Sequence, residues 1–388
     1  MVKRSMVTKN ICIITTVDIT LKQFVIPSAR EMQKNGFAVT FVSSMSKEFV
    51  GEFSNEFTLI NIPFERGAKP LGMLKGIIQL YKLFRKNKYD LIQYATPNAA
   101  FYASIAGKLA GVCNRLYCQW GIRYVGFDGF ARKLFRRIEK ITCSLSTQIR
   151  PASYKNMKFA ISEGLYQQSK ASVVGAGGAV GIDLGVFDIL EKEEYRKEIF
   201  ERHPELKDKT VFGFVGRLAR DKGVNELIRA FLKYYSEDSN SALVIVGPKE
   251  DNGELEAELV KQCEACQDIL FTGFSNEVKK YISAFTIHVH PSYREGFSLV
   301  IQQAMSMGVP VITTDIPGPS EVIVDGVSGM LVPAKNSKAL YLAMKNLSLD
   351  KEKQKLFAEN GLERVKMLFT QERMSQLIVE DRQQICEL

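Results

Sequence analysis

The chain is predicted to fold as an α/β protein of two successive domains, each a parallel β-sheet with helices on both faces. Three observations predict this. Its 388 residues are more than one core comfortably fills. Short apolar strands alternate with amphipathic helices in both halves, the pattern that packs helices on the two faces of a parallel sheet. That alternation is interrupted once, by the run Gly175-Ala176-Gly177-Gly178-Ala179-Val180-Gly181, and a glycine-dense stretch there reads as a domain junction.

In the first half, Ile11–Thr16 reads as a strand and Phe24–Asn35 as a helix closed by Gly36. Ala38–Ser43 is a strand. A long helix over Leu71–Lys88 precedes a strand at Tyr89–Tyr94, then a helix at Asn98–Gly111 and a strand at Arg115–Trp120. A further amphipathic helix covers Arg132–Ile141. In the second half the strands are Thr210–Val215, Ala242–Val246, Ile269–Phe271, Thr286–His290 and Pro310–Thr314. The intervening helices are Val224–Tyr235, Glu254–Cys266, Glu277–Ala284 and Leu299–Met307. The boundaries expected are 1–175 for the first domain and 176–367 for the second.

Composition narrows the class. Hydrophobic residues make up 46% and charged residues 24%, ordinary for a globular chain. No apolar run approaches the ~20 residues that cross a bilayer. The start, Met1-Val2-Lys3-Arg4, leads into one short strand and has neither the long apolar region nor the cleavage site of a signal peptide, so the expected place is the cytoplasm. Seven scattered cysteines fit reduced thiols better than a disulfide framework. Cys263 and Cys266 form a CxxC inside a helical stretch, where two helix residues one turn apart is the simpler reading. Gly175-x-Gly177 resembles the start of a dinucleotide fingerprint, but Val180 stands where the third glycine belongs and no helix pattern follows. With three histidines and no Asp-x-Asp, no metal site is expected. His288 and His290 lie on one face of a strand and read as sheet residues.

Charge is unevenly divided. Residues 1–180 carry 26 Lys and Arg against 10 Asp and Glu, whereas residues 181–388 carry 26 against 33. A basic first half suggests an anionic surface facing it.

Two blocks carry chemistry. Phe212-Gly213-Phe214-Val215-Gly216-Arg217-Leu218 continues to Asp221-Lys222-Gly223, placing one Arg and one Lys between a strand end and a helix start. Backbone donors, a helix N-terminus and two cations at the carboxyl end of a strand suit an anion such as a diphosphate. The second block, His290-Pro291-Ser292-Tyr293-Arg294-Glu295-Gly296-Phe297-Ser298-Leu299, ends a strand, turns at Glu295 and opens a helix at Ser298. Free N–H groups there can meet phosphate, and Glu295 can accept hydrogen bonds from sugar hydroxyls. Gln303 follows about two turns along.

These blocks, Gly216-Arg217…Lys222-Gly223 and Glu295-Gly-Phe-Ser-Leu-Val-Ile-Gln-Gln-Ala-Met…Gly308-Val-Pro-Val-Ile, resemble family 4 of the retaining glycosyltransferases. The resemblance implies the GT-B fold, two Rossmann-like domains facing across a cleft, with the nucleotide-sugar donor on the second and the acceptor on the first. It implies that the last helix, near 368–388, packs back on the first domain. Arg217 and Lys222 resemble the pair that neutralises the donor diphosphate. Glu295 resembles the first glutamate of the E-x7-E motif, which contacts the donor sugar, and Gly216, Gly296, Phe297, Ser298 and Leu299 accompany it. Gln303 stands where the second glutamate holds the ribose, a departure, since a neutral amide grips two hydroxyls more weakly than a carboxylate. Trp120 stands where many members have a histidine. No cofactor is implied.

The segments Tyr94–Tyr102 and Cys118–Phe127 resemble a narrower group, bacterial transferases that build capsule, exopolysaccharide, O-antigen or lipid-linked glycans on undecaprenyl diphosphate. On that resemblance Thr96, Asn98, Gln119 and Arg123 line the acceptor side; as isolated residues they equally read as strand-end residues with turn roles. The two amphipathic helices of the first half place Lys75, Lys82 and Lys86, and Arg132, Lys133, Arg136 and Arg137, beside apolar stripes. Alone they read as inward-packed helices with solvated cations, but the basic balance of this half tips the expectation to a peripheral contact with an anionic bilayer. A UDP-sugar donor and an acceptor on the inner face of the plasma membrane are the expected partners. A sugar-nucleotide epimerase of the same fold would need acid and base carboxylates and no basic acceptor face. A nucleic-acid-binding protein would interleave its lysines with exposed aromatics, whereas here they flank apolar helix faces.

Overall fold

The first six strands form one wholly parallel sheet: β1 (Lys9–Val17), β2 (Phe37–Ser44), β3 (Thr58–Asn61), β4 (Leu91–Tyr94), β5 (Asn114–Gln119) and β6 (Gln148–Pro151), in the order β3-β2-β1-β4-β5-β6. The structure is a computed structural model and describes residues 8–64, 70–249 and 255–387. Met1–Arg4 and Glu254, and the last position of the expected helix near 368–388, lie outside the described residues. Register is continuous at the centre, with Ile11 opposite both Val39 and Leu91. β1 is apolar through Ile11–Ile14 because both of its faces are covered.

The second sheet repeats this topology with β7 (Thr210–Val215), β8 (Ser241–Val246), β9 (Ile269–Gly273), β10 (Ile287–His290), β11 (Val311–Thr314) and β12 (Met330–Val332), ordered β12-β11-β10-β7-β8-β9. Each sheet therefore reverses direction beside its first strand, and the crevice outside the carboxyl ends at such a reversal is where open α/β sheets hold ligands.

The helices of the first unit are α1 (Asp18–Phe24), α2 (Ile26–Lys34), α3 (Lys47–Phe53), α4 (Pro70–Lys86), α5 (Pro97–Ala110), α6 (Gly129–Leu145) and α7 (Tyr154–Ser162). Those of the second are α8 (Lys192–Arg202), α9 (Val224–Tyr235), α10 (Ala257–Glu264), α11 (Val278–Ala284), α12 (Leu299–Ser306), α13 (Pro319–Val322), α14 (Ser337–Leu349) and α15 (Lys351–Leu368). A last helix, α16 (Gln371–Glu387), returns to the first unit and packs on α2. The expected helix Phe24–Asn35 is α2, and a separate helix, α1, precedes it. The break falls at Val25, and α2 restarts with Pro27 in its first turn. Proline lacks the N–H that would continue α1 but suits a first turn.

The units divide at Val180, a few residues beyond the Gly175 boundary expected, and again at Thr370. Gly175–Val180 stays with the first unit, where the Gly178 N–H donates to the Ala152 carbonyl at 2.8 Å. Two cores flank the first sheet. One joins Tyr94, Tyr102 and Tyr117 to α5. The other joins Ile11, Phe41 and Leu116 to α2 and, from α16, to Met374, Ile378, Val379 and Ile385.

Candidate active site

At the carboxyl edge of the second sheet, the turn after β7 and the turn after β10 are held against each other. Gly223 has φ 69°, and a Cβ there would lie 2.1 Å from the Pro291 carbonyl oxygen, so only glycine lets α9 begin so close to β10. The Tyr293 N–H donates to the Asp221 carbonyl at 2.8 Å, and the Ser292 hydroxyl donates to the same oxygen at 3.1 Å. The Arg294 guanidinium reaches the Asp221 carboxylate at 2.9 Å, with Arg217 on its other oxygen at 3.9 Å. A third turn closes on these two. Gly318 has φ 96°, and a Cβ there would meet the Gly296 carbonyl at 2.6 Å.

Within this frame the Lys222 ammonium lies 2.6 Å from Glu295 Oε1, and His290 Nε2 lies 2.8 Å from the same oxygen. The Ser298 hydroxyl is 3.2 Å from that ring nitrogen. Burial pushes the Glu295 carboxyl up, but the Lys222 charge and the hydrogen bonds from His290 and Lys222 outweigh it and hold the group well below the usual carboxylate range. Glu295 is thus a carboxylate, with its neighbouring cation at hand. Ser298, at the start of α12, has φ 36° and makes no side-chain cap. A left-handed serine is a strained conformation of the kind that collects at functional sites. Its hydroxyl serves His290, so it leaves the first N–H groups of α12 uncapped by their own N-cap side chain.

The two blocks read from sequence thus meet: Lys222, Glu295 and Ser298 share one cluster with Gly216, Arg217 and Gly296 on the adjoining turns. Phe297 is buried against Phe369, Leu299 opens α12, and Gln303 is half-buried on it. His290 corrects the sequence reading. It is not only a sheet residue but the second partner of Glu295; His288 is the fully buried sheet residue, stacked on Phe285. Two residues of strand period place the rings on one face, but only the turn at 291–295 brings a carboxylate back to His290. Asp221 was also missed as the tie between the turns.

The acceptor-side residues do not gather as one group. Thr96 stands at the turn from β4 into α5 with φ 64°, a rare conformation for a β-branched residue, and its hydroxyl lies 2.7 Å from that of Thr16. Asn98 and Arg123 line a small pocket with Met73, Phe101 and Phe135, and the Arg123 guanidinium sits 4.5 Å over the Phe135 ring. Gln119 is a correction. It is buried, with its amide nitrogen on Glu139 Oε1 at 2.5 Å and its amide oxygen accepting from Tyr166 at 3.0 Å. The Tyr117 hydroxyl donates to the same carboxyl oxygen at 3.0 Å. Both ends of Gln119 are committed inside the unit, which leaves it no face toward an acceptor. Burial pushes the Glu139 carboxyl up to about 7 despite these hydrogen bonds. Trp120, in place of the usual histidine, packs on Phe24 at 5.6 Å between ring centres.

The two basic amphipathic helices turn apolar side chains outward. On α4, Leu71, Leu74, Ile78 and Tyr81 form one exposed stripe, Leu71 at 84%, with exposed Lys75, Lys82 and Lys86 beside it. On α6, Phe130 at 80% and Leu134 stand with exposed Lys133 and Arg137. Leu80 and Phe84 face the core instead. Arg136 departs from the expectation, because its guanidinium is bound to Glu163, 3.1 Å from the carboxylate, and to the Glu163 carbonyl. Arg132 is half-buried over the Tyr124 ring.

The reversal point of the doubly wound second sheet, with its Lys–Glu–His cluster and helix start, is where an open α/β sheet holds an anionic ligand. Residues 195–364 match the family described as Glycosyl transferases group 1, and residues 10–152 match Glycosyl transferase 4-like. The chain belongs to this family of glycosyltransferases. It is 29% identical to the capsular polysaccharide biosynthesis glycosyltransferase CapM of Staphylococcus aureus, over 90% of each chain. It is 26% identical, over 72% of its length and 71% of the other's, to an Escherichia coli enzyme named UDP-Gal:alpha-D-GlcNAc-diphosphoundecaprenol alpha-1,3-galactosyltransferase. Among solved structures, Anabaena HepE in complex with UDP and glucose has the same GT-B fold, with a TM-score of 0.79 at 18% identity over 97% of this chain and 100% of that one.

Proposed function

We propose that this glycosyltransferase moves a hexose or N-acetylhexosamine from a UDP-sugar to a glycan carried on undecaprenyl diphosphate, with retention of configuration, during assembly of a bacterial surface polysaccharide. The observation that carries the reading is the Lys222–Glu295–His290 cluster at the start of α12. The names of the capsular and diphosphoundecaprenol relatives support the acceptor class, and the UDP complex of HepE supports the nucleotide. Breaking the sugar–phosphate bond puts charge on the departing diphosphate. Lys222, Arg217 and the N–H groups opening α12 would stabilise that charge where it develops. Glu295 would hold sugar hydroxyls, and His290 would hold Glu295. A phosphate oxygen of the leaving group can take the acceptor's proton on the same face, so no protein base is required. The test is nucleotide release from a panel of UDP- and GDP-sugars with lipid-linked acceptors. Release with no member of the panel above the acceptor-free rate rejects the reading.

The reaction is proposed to run without a metal. The sequence has no Asp-x-Asp, and the described residues include no group of three His, Cys, Asp or Glu suited to an ion. Turnover in excess chelator should equal turnover with added magnesium or manganese; a strict, reversible metal requirement would refute this.

The first unit is proposed to rest on the cytoplasmic face of the membrane through α4 and α6. Outward leucines and phenylalanine flanked by lysine suit an anionic bilayer, and each basic residue near such a surface contributes about 1 kcal/mol. Replacing Lys75, Lys82, Lys133 and Arg137 by serine should weaken sedimentation with anionic vesicles more than about tenfold while sparing nucleotide binding. Arg136 is left in place because it holds Glu163. Undiminished sedimentation of the quadruple variant would exclude this face.

A further inference from the structure

At the opposite, amino-terminal edge of the second sheet lies a broad cavity of about 500 Å³. Its floor is where Thr210 enters β7, Thr286 precedes β10 and Pro310 precedes β11, and its walls are the first turns of α8 and α15. We propose that this cavity is a second anion site, taking a small phosphorylated molecule, distinct from the cluster around Lys222.

The lining carries five cations, Lys192, Arg196, Lys209, Lys351 and Lys355, against a single carboxylate, Asp208. This is the reverse of the local average, because residues 181–388 hold 26 basic residues against 33 acidic ones. Lys209 is already neutralised by Asp268. Among the described residues the other four have only loose or neutral partners. Arg196 lies 4.0 Å from Glu193 and Lys355 lies 3.8 Å from Glu359, both pairs largely in solvent. Lys351 reaches the Gln354 amide oxygen at 3.4 Å, and Lys192 reaches the Gly308 carbonyl at 2.8 Å. Exposed pairs at such distances are weak and yield readily to a better anion. Burial also pushes the Lys192 amine down to about 8, so an arriving anion gains from a cation that the fold alone leaves poorly compensated. Four cations converging from two helices match a multiply charged phosphate better than a single carboxylate, and the volume suits a molecule of nucleotide or sugar-phosphate size.

The probe is inorganic diphosphate, titrated calorimetrically into the parent, into an Arg196→Ser, Lys351→Ser, Lys355→Ser variant and into Lys222→Ser. The expected result is a binding event that weakens at least tenfold in the triple variant and persists in Lys222→Ser. All three substituted side chains lie at the protein surface. If the triple variant nonetheless melts early, Lys355→Glu alone must give a loss of the same sign. No binding to the parent, equal binding to parent and triple variant, or loss confined to Lys222→Ser would overturn the proposal.

Discussion

Alanine at Glu295 or at Lys222 should each lower turnover about 10²–10³-fold, the effect of removing one charge-stabilising contact worth roughly 3–4 kcal/mol in a closed site. The two changes act differently on the resting protein. Without Glu295, the Lys222 ammonium loses its 2.6 Å partner yet can still meet a diphosphate. Without Lys222, the Glu295 carboxylate keeps His290 at 2.8 Å but loses the charge that does most to offset its burial. Its carboxyl then rises, and the turnover that remains should fall off at acidic pH earlier than in the parent. Because the residues touch, their effects should not add: the double variant should be worse than the poorer single by less than the product of the two predicts. Steady-state turnover of all three variants, with far-ultraviolet circular dichroism to confirm the fold, checks this. Near-parental rates for both singles would remove the cluster from the reaction.

Glutamine at Glu139 should stabilise the first unit by about 3 kcal/mol above neutral pH and leave it nearly unchanged in acid. The unfolded chain releases this proton near 4.5 and the folded unit only near 7. Between those values the folded state holds one proton more, so its stability falls as pH rises. The stability tied to the protonated carboxyl is whole below about 4.5 and gone above about 7. Glutamine fits the same space, accepts from Gln119 and Tyr117 at one oxygen and carries no charge to bury. The sole tryptophan, Trp120, lies in the same unit and packs on Phe24, so its fluorescence reports this unit alone during denaturation. An advantage of equal size at pH 4 and pH 8 would mean that Glu139 is not held neutral by its surroundings.

Long periodic segments were legible in the sequence. α9 occupies the interval its apolar stripe predicts, and β7 likewise. Three edge strands were not: β3, β6 and β12 are three or four residues long, too short for a two-residue period to declare itself. That the two sequence blocks meet was readable because their residues lie in two compact runs, each spanning a strand end and a helix start. Gln119 was misread where the reading depended on side-chain direction. Gln119 ends β5 on the face that looks into the unit toward Glu139, on α6, a pairing no local spacing reveals. His290 was undervalued for a related reason. Its partner is five residues on, across a turn whose path Gly223 and Gly318 decide.

The return of α16 to the first unit has a consequence for how the protein is made. Met374, Ile378, Val379 and Ile385 belong to the same apolar cluster as Leu21, Ile26 and Phe41. The first unit therefore emerges from the ribosome with one side of its sheet only partly covered and waits, while Gly181–Thr370 is synthesised, for its last helix. The second unit is one uninterrupted stretch and can complete itself earlier, so the usual order of folding during synthesis is inverted. During that interval the apolar surface of the amino-terminal half that α16 later covers is the one a chaperone would shield.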